Sequence, residues 1–216
     1  LHTMGLFMGS DKGYELDRQP TRTEALIMLI RLLGEEDAAK SCTATQPFTD
    51  VPQWASHYVA YAYERGYTKG SSANKFGVGT ANAAMFCTFV LRALGYSDVD
   101  GDFSYSKATD MAGNVGIIGK GAYQSGTIYR DDCVLISYNA LSAKLKNSDQ
   151  TLLDHLIASG AVDENDAVDV GLLTPDGYDY FLMTQESNFI NDGMVVETED
   201  GTIYGVNKYG QASGSD

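Results

Sequence analysis

The sequence predicts a mainly α-helical fold: three helix-loop-helix repeats around a central, pseudo-threefold helical bundle, followed by a small β-hairpin segment. Three observations carry that expectation. The stretch Thr21-Arg22-Thr23-Glu24-Ala25-Leu26-Ile27-Met28-Leu29-Ile30-Arg31-Leu32-Leu33-Gly34 recurs in weakened form as Asn82-Ala83-Ala84-Met85-Phe86-Cys87-Thr88-Phe89-Val90-Leu91-Arg92-Ala93-Leu94-Gly95, and again as Tyr129-Arg130-Asp131-Asp132-Cys133-Val134-Leu135-Ile136-Ser137-Tyr138-Asn139-Ala140-Leu141. Such self-similarity is the signature of a repeat architecture. Landmark residues keep one register: Arg31 and Arg92, Gly5 and Gly66, and Gly9 and Gly70 each lie 61 positions apart, and the second and third copies are offset by about 47 to 50. Lastly, the apolar positions recur at i, i+3, i+4 and i+7, the period of a helix face.

The first repeat is expected at residues 1–40 and is partial. Leu1-His2-Thr3-Met4-Gly5-Leu6-Phe7-Met8-Gly9 reads as the tail of a helix and its exit turn, so the chain is expected to be a fragment cut inside this repeat. Its repeated helix turns Ala25, Met28, Leu29 and Leu32 inward. The second repeat, residues 46–97, opens at Val51-Pro52-Gln53-Trp54, with Trp54, Tyr58, Tyr61 and Ala62 in helical spacing and Gly66 as the stop. Tyr67-Thr68-Lys69-Gly70-Ser71-Ser72-Ala73-Asn74 then supplies turn formers for an irregular loop, which Phe76 is expected to pin to the core. The inward stripe of the second copy is Phe86, Phe89, Val90 and Ala93.

In the third repeat, residues 102–161, the stripe is Cys133, Ile136, Ser137 and Ala140, small enough to let backbones approach. One such helix cannot bury its stripe alone, whereas three in tandem pack against each other. A further short helix follows, with Ser148 the expected cap and Gly160 the stop. From residue 162 to 216 the composition turns acidic and β-like. The stretch from Gly193 to Val206 reads as a hairpin turning at Asp200-Gly201, residues 178–183 as another strand, and residues 208–216 as a tail.

Bulk properties narrow the function. With 15 Lys+Arg against 29 Asp+Glu, the formal charge of −14 argues against nucleic acid, whose phosphates need clustered cationic side chains to neutralise them. The longest apolar runs, such as residues 25–30, fall far short of the ~20 residues a bilayer span needs, so no membrane insertion is expected. No secretory signal pattern opens the chain. Three cysteines leave one unpaired however they are matched, and Cys87 and Cys133 sit in apolar helical patterns as small hydrophobes. His2, His57 and His155 lack metal-ligand spacing, so neither metal nor other cofactor is expected. Asp98-Val99-Asp100-Gly101-Asp102 invites a calcium reading, but an EF-hand needs Gly at its sixth position and Glu at its twelfth, where Phe103 and Thr109 stand.

Leu16-Asp17-Arg18-Gln19-Pro20-Thr21-Arg22-Thr23-Glu24-Ala25, with Phe48-Thr49-Asp50-Val51-Pro52-Gln53-Trp54, resembles the S-layer homology (SLH) family across roughly residues 1–160. The hallmarks are a "TRAE"-like tetrad and an "FxDVxxxW"-type opening, here with a shorter gap. The resemblance implies a non-catalytic, extracellular module of the Gram-positive cell wall or S-layer. Such a module binds secondary cell-wall polysaccharide, typically through pyruvylated N-acetylmannosamine, in grooves between neighbouring repeats. Carried over residue by residue, Arg22 and Arg130 would hold the anion, with Glu24 completing the tetrad. Asp50 and Trp54 would line the sugar groove with loop residues Gly9 and Gly70. The chemistry fits, because Arg offers a bidentate fork that matches a carboxylate. In the second copy Ala83 replaces Arg22 and Met85 replaces Glu24; in the third, Tyr105 stands for Asp50, Thr109 for Trp54 and Lys120 for Gly70. One or at most two competent grooves are expected.

Structural roles compete at each position. Arg22 and Glu24 can form a surface ion pair, Asp131 and Asp132 can tie up Arg130, Asp50 can cap the following helix, and Trp54 can anchor the core. Two other function classes stand beside glycan binding. One is S-layer-type self-assembly or protein-partner binding, with homo-oligomers or domain exchange covering the incomplete first repeat. The other is a glycoside hydrolase, for which the sequence places no carboxylate pair.

Overall fold

In a computed structural model the described residues are 1–9, 13–173, 194–197, 203–206 and 212–213. The chain divides into two compact units, Leu1–Ala161 and Val162–Asp216.

The first unit is built from helices α1 (Arg22–Leu32), α2 (Glu36–Lys40), α3 (Ser56–Glu64), α4 (Ala83–Ala93), α5 (Ala108–Val115), α6 (Arg130–Leu141) and α7 (Leu152–Ala158). Thr21 starts α1 with a capping box: its hydroxyl accepts from the Glu24 N–H while the Glu24 carboxylate accepts from the Thr21 N–H. Asn82 caps α4 by accepting from the Met85 N–H. The repeated helices α1, α4 and α6 touch one another pairwise and form the centre. Their facing residues Leu29, Phe86, Phe89, Val90, Cys133 and Ile136 are buried, each large apolar side chain stabilising the fold by about 1.5–3 kcal/mol. α3 lies on α1 and α2, α5 on α4, and α7 on α6.

Backbone hydrogen bonds close the three repeats into a ring. The Arg22 N–H at the start of α1 donates to Gly79 O in the second repeat's loop (2.8 Å), the Ala83 N–H at the start of α4 to Gly126 O in the third's (2.9 Å), and the Arg130 N–H at the start of α6 to Arg18 O in the first's (3.0 Å). Donors and acceptors fall at equivalent repeat positions. Each helix start therefore docks against the loop of the next repeat, and the third returns to the first.

Several elements depart from the sequence reading. α2 was not expected, and the helix expected from Trp54 begins as a 3-10 turn, Gln53–Ala55, that leaves the Trp54 ring 58% exposed rather than in the buried stripe. The third repeat's matching 3-10 turn, Tyr105–Lys107, aligns Tyr105 with Gln53 and Ser106 with Trp54, which replaces the expected alignment of Tyr105 with Asp50 and Thr109 with Trp54. α7 is capped by Thr151, in a capping box with Asp154, and not by Ser148, whose hydroxyl accepts from the Gln150 N–H. The expected cap stands three residues too early.

In the second unit, α8 (Glu164–Asp169) is capped by Asp163, which accepts from the Asn165 N–H; no helix was expected in this acidic, β-like stretch. Strands β1 (Met194–Glu197), β2 (Ile203–Val206) and β3 (Ala212–Ser213) form an antiparallel sheet in that order, with Met194 opposite Val206 and Val206 opposite Ala212. The stretch expected to be a tail thus contributes β3. The turn at Asp200-Gly201 and the strand expected at residues 178–183 lie outside the described residues.

Candidate ligand groove at the first repeat junction

The docking of α1 on the second repeat's loop leaves a cavity of about 510 Å³. Arg22 heads it from α1; residues 69–71 supply the loop wall; Met85, Thr88, Phe89 and Arg92 supply the α4 wall; Asp98 and Tyr105 complete it. Its wall is apolar on the α4 side and cationic at both ends.

The guanidinium of Arg22 decides the chemistry. The residue is 8% exposed, yet its Nε is buried with no hydrogen-bond partner. The group lies over two aromatic rings, 5.0 Å from the Phe76 centroid and 5.5 Å from that of Phe89. Cation–π attraction of this kind is worth about 0.5–2 kcal/mol and supplies no hydrogen-bond acceptor. Burial lowers the Arg22 pKa from its ordinary value and nearby Arg92 adds to the effect, while Tyr105 and Asp50 oppose it. Arginine still remains charged, so the site holds a cation whose buried Nε lacks a hydrogen-bond acceptor.

The far end of the cavity is an ion triad. The Asp98 carboxylate accepts from Arg92 Nε (3.0 Å) and Nη2 (2.7 Å) and from Lys69 Nζ (2.9 Å), and these hydrogen bonds hold its pKa well below the usual carboxylate range despite partial burial. Arg92 also donates to Tyr67 O (3.1 Å), tying the loop to α4. Three cations, Arg22, Lys69 and Arg92, face one carboxylate, a surplus of two positive charges in a chain whose net charge is −14. The cavity is an electropositive concavity on an acidic protein, suited to an anion.

The expected site residues are distributed as follows. Arg22 and Gly70 line the cavity together. Gly70 has φ +76°, and a Cβ there would stand 2.3 Å from the Phe48 ring and 2.6 Å from Lys75 O, so only glycine lets the loop pass. Asp50 is not a lining residue: its two carboxylate oxygens accept from the N–H groups of Phe76 (2.7 Å) and Gly77 (2.9 Å), folding the loop that carries Phe76 under Arg22. It does not cap the following helix. Trp54 projects from its 3-10 turn and is absent from the lining. Glu24 is occupied by Arg18 (2.6 Å) and by Thr21, so the ion pair expected between Arg22 and Glu24 is replaced by one between Arg18 and Glu24.

Arg130 stands at the equivalent position of the third junction, 5% exposed and 5.9 Å from the Phe7 centroid. Its Nε donates to Tyr14 O at 3.0 Å, whereas Asp132 accepts from the Tyr129 N–H and the Tyr123 hydroxyl. The expected pairing of Arg130 with Asp131 and Asp132 is not formed. Gly9, at φ +70°, accepts through its carbonyl from Arg31. At the second junction Ala83 contributes no side-chain donor, and Tyr105 donates instead to the cap Asn82 (3.1 Å). Lys69, Arg92, Asp98 and Phe89 were not among the expected ligand-binding residues, although Phe89 was read as part of the inward stripe and Asp98 in a rejected calcium loop. Arg92 carried a signal, its 61-residue spacing from Arg31, which also pairs with an acidic residue just past its helix, Glu36.

Among the described residues no group of three or more His, Cys, Asp and Glu side chains could hold a metal ion, and no helix is long and apolar enough to cross a membrane.

No family model matches the chain. It is 33% identical over 141 residues to a protein of Thermoanaerobacter kivui named "Cell surface protein". The likeness is to a cell-surface protein. It covers 62% of this chain but 18% of the relative, so the chain spans less than a fifth of that protein's length.

Proposed function

We propose that the unit Leu1–Ala161 is a non-catalytic S-layer homology module of three repeats. In this reading it holds its protein at the outside of the cell by binding an anionic cell-wall polysaccharide in the cavity headed by Arg22. The observation that carries the reading is Arg22, which lines an electropositive cavity while its guanidinium lies over two aromatic rings and its buried Nε has no hydrogen-bond partner. A buried cation without a partner is costly, and a carboxylate arriving in that place removes the cost while gaining charge-assisted hydrogen bonds. A pyruvyl ketal on N-acetylmannosamine offers such a carboxylate beside an apolar methyl group, matching the Met85 and Phe89 wall. The likeness to a cell-surface protein supports the setting. Of the three junctions, the first is the one where the arginine is left open; Arg130 already donates to Tyr14 O, and Ala83 has nothing to donate.

The test is sedimentation of the purified chain with Gram-positive cell walls before and after extraction of their secondary polymer. Binding is expected to need the polymer and to fall between about tenfold and a hundredfold in Arg22→Ala, with a smaller loss in Arg130→Ala. Equal binding to extracted walls, or an unaffected Arg22→Ala, would overturn the reading, as would release of reducing sugar from the walls by the protein.

A further inference from the structure

The far end of the Arg22 cavity carries more charge than the fold requires there. Arg92 ties the loop after α3 to α4 by donating to Tyr67 O at 3.1 Å. Asn139 stands 47 residues after Arg92, the offset that also separates Ala83 from Arg130, and it ties the third repeat's loop to α6 by donating to Ile117 O at 3.1 Å. A neutral amide therefore performs that task. Lys69 lies three residues past the turn glycine Gly66, and its counterparts past Gly5 and Gly116 are Met8 and Gly119, so the loop needs no ammonium either. Yet both cations converge on one carboxylate. Asp98 accepts from Arg92 through Nε and Nη2 and from Lys69 through Nζ, and its side chain stays 20% exposed on the cavity wall. Those hydrogen bonds, from Arg92 first and Lys69 next, keep it ionised wherever a ligand carboxylate or phosphate is ionised.

The two ends of the cavity thus differ in what they offer an anion. Arg22 has a buried Nε without an acceptor, whereas Arg92 and Lys69 already hold an anion. A ligand with a single carboxylate can meet Arg22 and stay clear of Asp98. One with closely spaced charges brings a second anion against Asp98, and like charges repel strongly in a partly desolvated cavity. Building on the reading of this cavity as an anion site, we propose that Asp98 is its specificity-determining residue: a built-in anion on Arg92 and Lys69 that admits polysaccharides with isolated carboxylates and rejects phosphate-rich polyanions. Lys69 uses one of its three donors on Asp98, which leaves the others for sugar hydroxyls.

The experiment is titration calorimetry of the full chain at about 0.1 M salt, with two probes: the pyruvyl ketal of methyl N-acetylmannosaminide, which has one carboxylate, and inorganic tripolyphosphate. The parent should favour the ketal. In Asp98→Asn, tripolyphosphate affinity should rise at least about tenfold and by more than ketal affinity does. Asp98→Ser, which removes the same charge, should act likewise, and Asp98→Glu should behave as the parent. Adding Lys69→Gln to Asp98→Asn should cancel most of the gain, because the freed ammonium is then gone. Asp100→Asn, the same change of net charge at an exposed neighbour, should produce no such gain. Unaltered tripolyphosphate affinity in both charge-removing variants overturns the proposal, as does an equal gain in Asp100→Asn or one that survives Lys69→Gln. If the parent binds the ketal and the gain is missing, the filter falls and the cell-wall reading stands. If the parent ignores the ketal while Asp98→Asn still gains tripolyphosphate, the cell-wall reading falls and the rejection of polyanions stands.

Discussion

Arg22 and Arg130 sit at the same repeat position and are equally removed from solvent, yet their surroundings give them different work. Arg130 spends its Nε on Tyr14 O, whereas Arg22 has aromatic faces beneath it and no acceptor. The sequence made the two arginines legible as a pair, but not which was free, because the acceptor for Arg130 lies 116 residues away in the chain. Asp50 was hidden for the same reason: its partners, Phe76 and Gly77, are fixed by the loop's path. Glu24 offers a test at this scale. Partial burial alone would raise its pKa; hydrogen bonds from Arg18 and from Thr21 outweigh that and hold it at about 2, against an unperturbed 4.5. A carboxyl depressed in the fold contributes stability that is complete above the unfolded value and fades as pH falls toward the folded one. Glu24→Gln should therefore be less stable than the parent at neutral pH, with the difference shrinking from about pH 4.5 down to about pH 2, as read by urea denaturation across that range.

At the scale of elements, the long helices α1, α4 and α6 were readable from apolar period and repetition, and their buried stripes lie where those patterns put them except at Ala93, expected inward on α4 but only half-buried at the helix end. What escaped were α2, α8 and the two 3-10 turns, each too short for a period to establish itself, and the cap of α7, where Ser148 and Thr151 compete as plausible starts. Spatial contacts rather than local pattern select among such short pieces. The loop between α3 and α4 allows a direct comparison of two glycines. Gly66 has φ +77° with nothing within 4 Å of an added Cβ, so Gly66→Ala should cost about 1 kcal/mol, the strain of the left-handed conformation alone. Gly70→Ala meets that strain and a collision with Phe48 and Lys75 O, so it should cost about 2–4 kcal/mol. In the proposed reading it should also weaken polysaccharide binding, since the loop is one wall of the cavity. Guanidinium denaturation of both variants checks the order, and equal losses would mean that the loop yields without cost.

For the first unit as a whole, the decisive property is that its repeats form a circle rather than an open stack. In a linear stack, damage to one end leaves the other largely intact. Here α6 contacts both α1 and α4, and its first residues bond to the loop that precedes α1. Ile136→Ala, a fully buried change expected to cost about 2–5 kcal/mol, should therefore speed global amide exchange in α1 and α4 by the same factor as in α6. Exchange rates that rise in α6 alone would show an open stack. The ring was foreseeable from triplication; its closure was not, because Arg18 and Arg130 carry no local mark of their meeting. It also bears on how such a protein can diverge. The cavity takes Arg22 from one repeat and its loop wall, with Lys69 and Arg92, from the following one, so an isolated repeat would hold only part of it. In the proposed reading binding therefore requires two neighbouring repeats, and the chemistry of each junction can differ from that of the other two. Position 83 shows that separation: an alanine stands where the other two junctions carry arginine, while the hydrogen bond from its backbone to Gly126 O holds the circle shut without any side-chain charge.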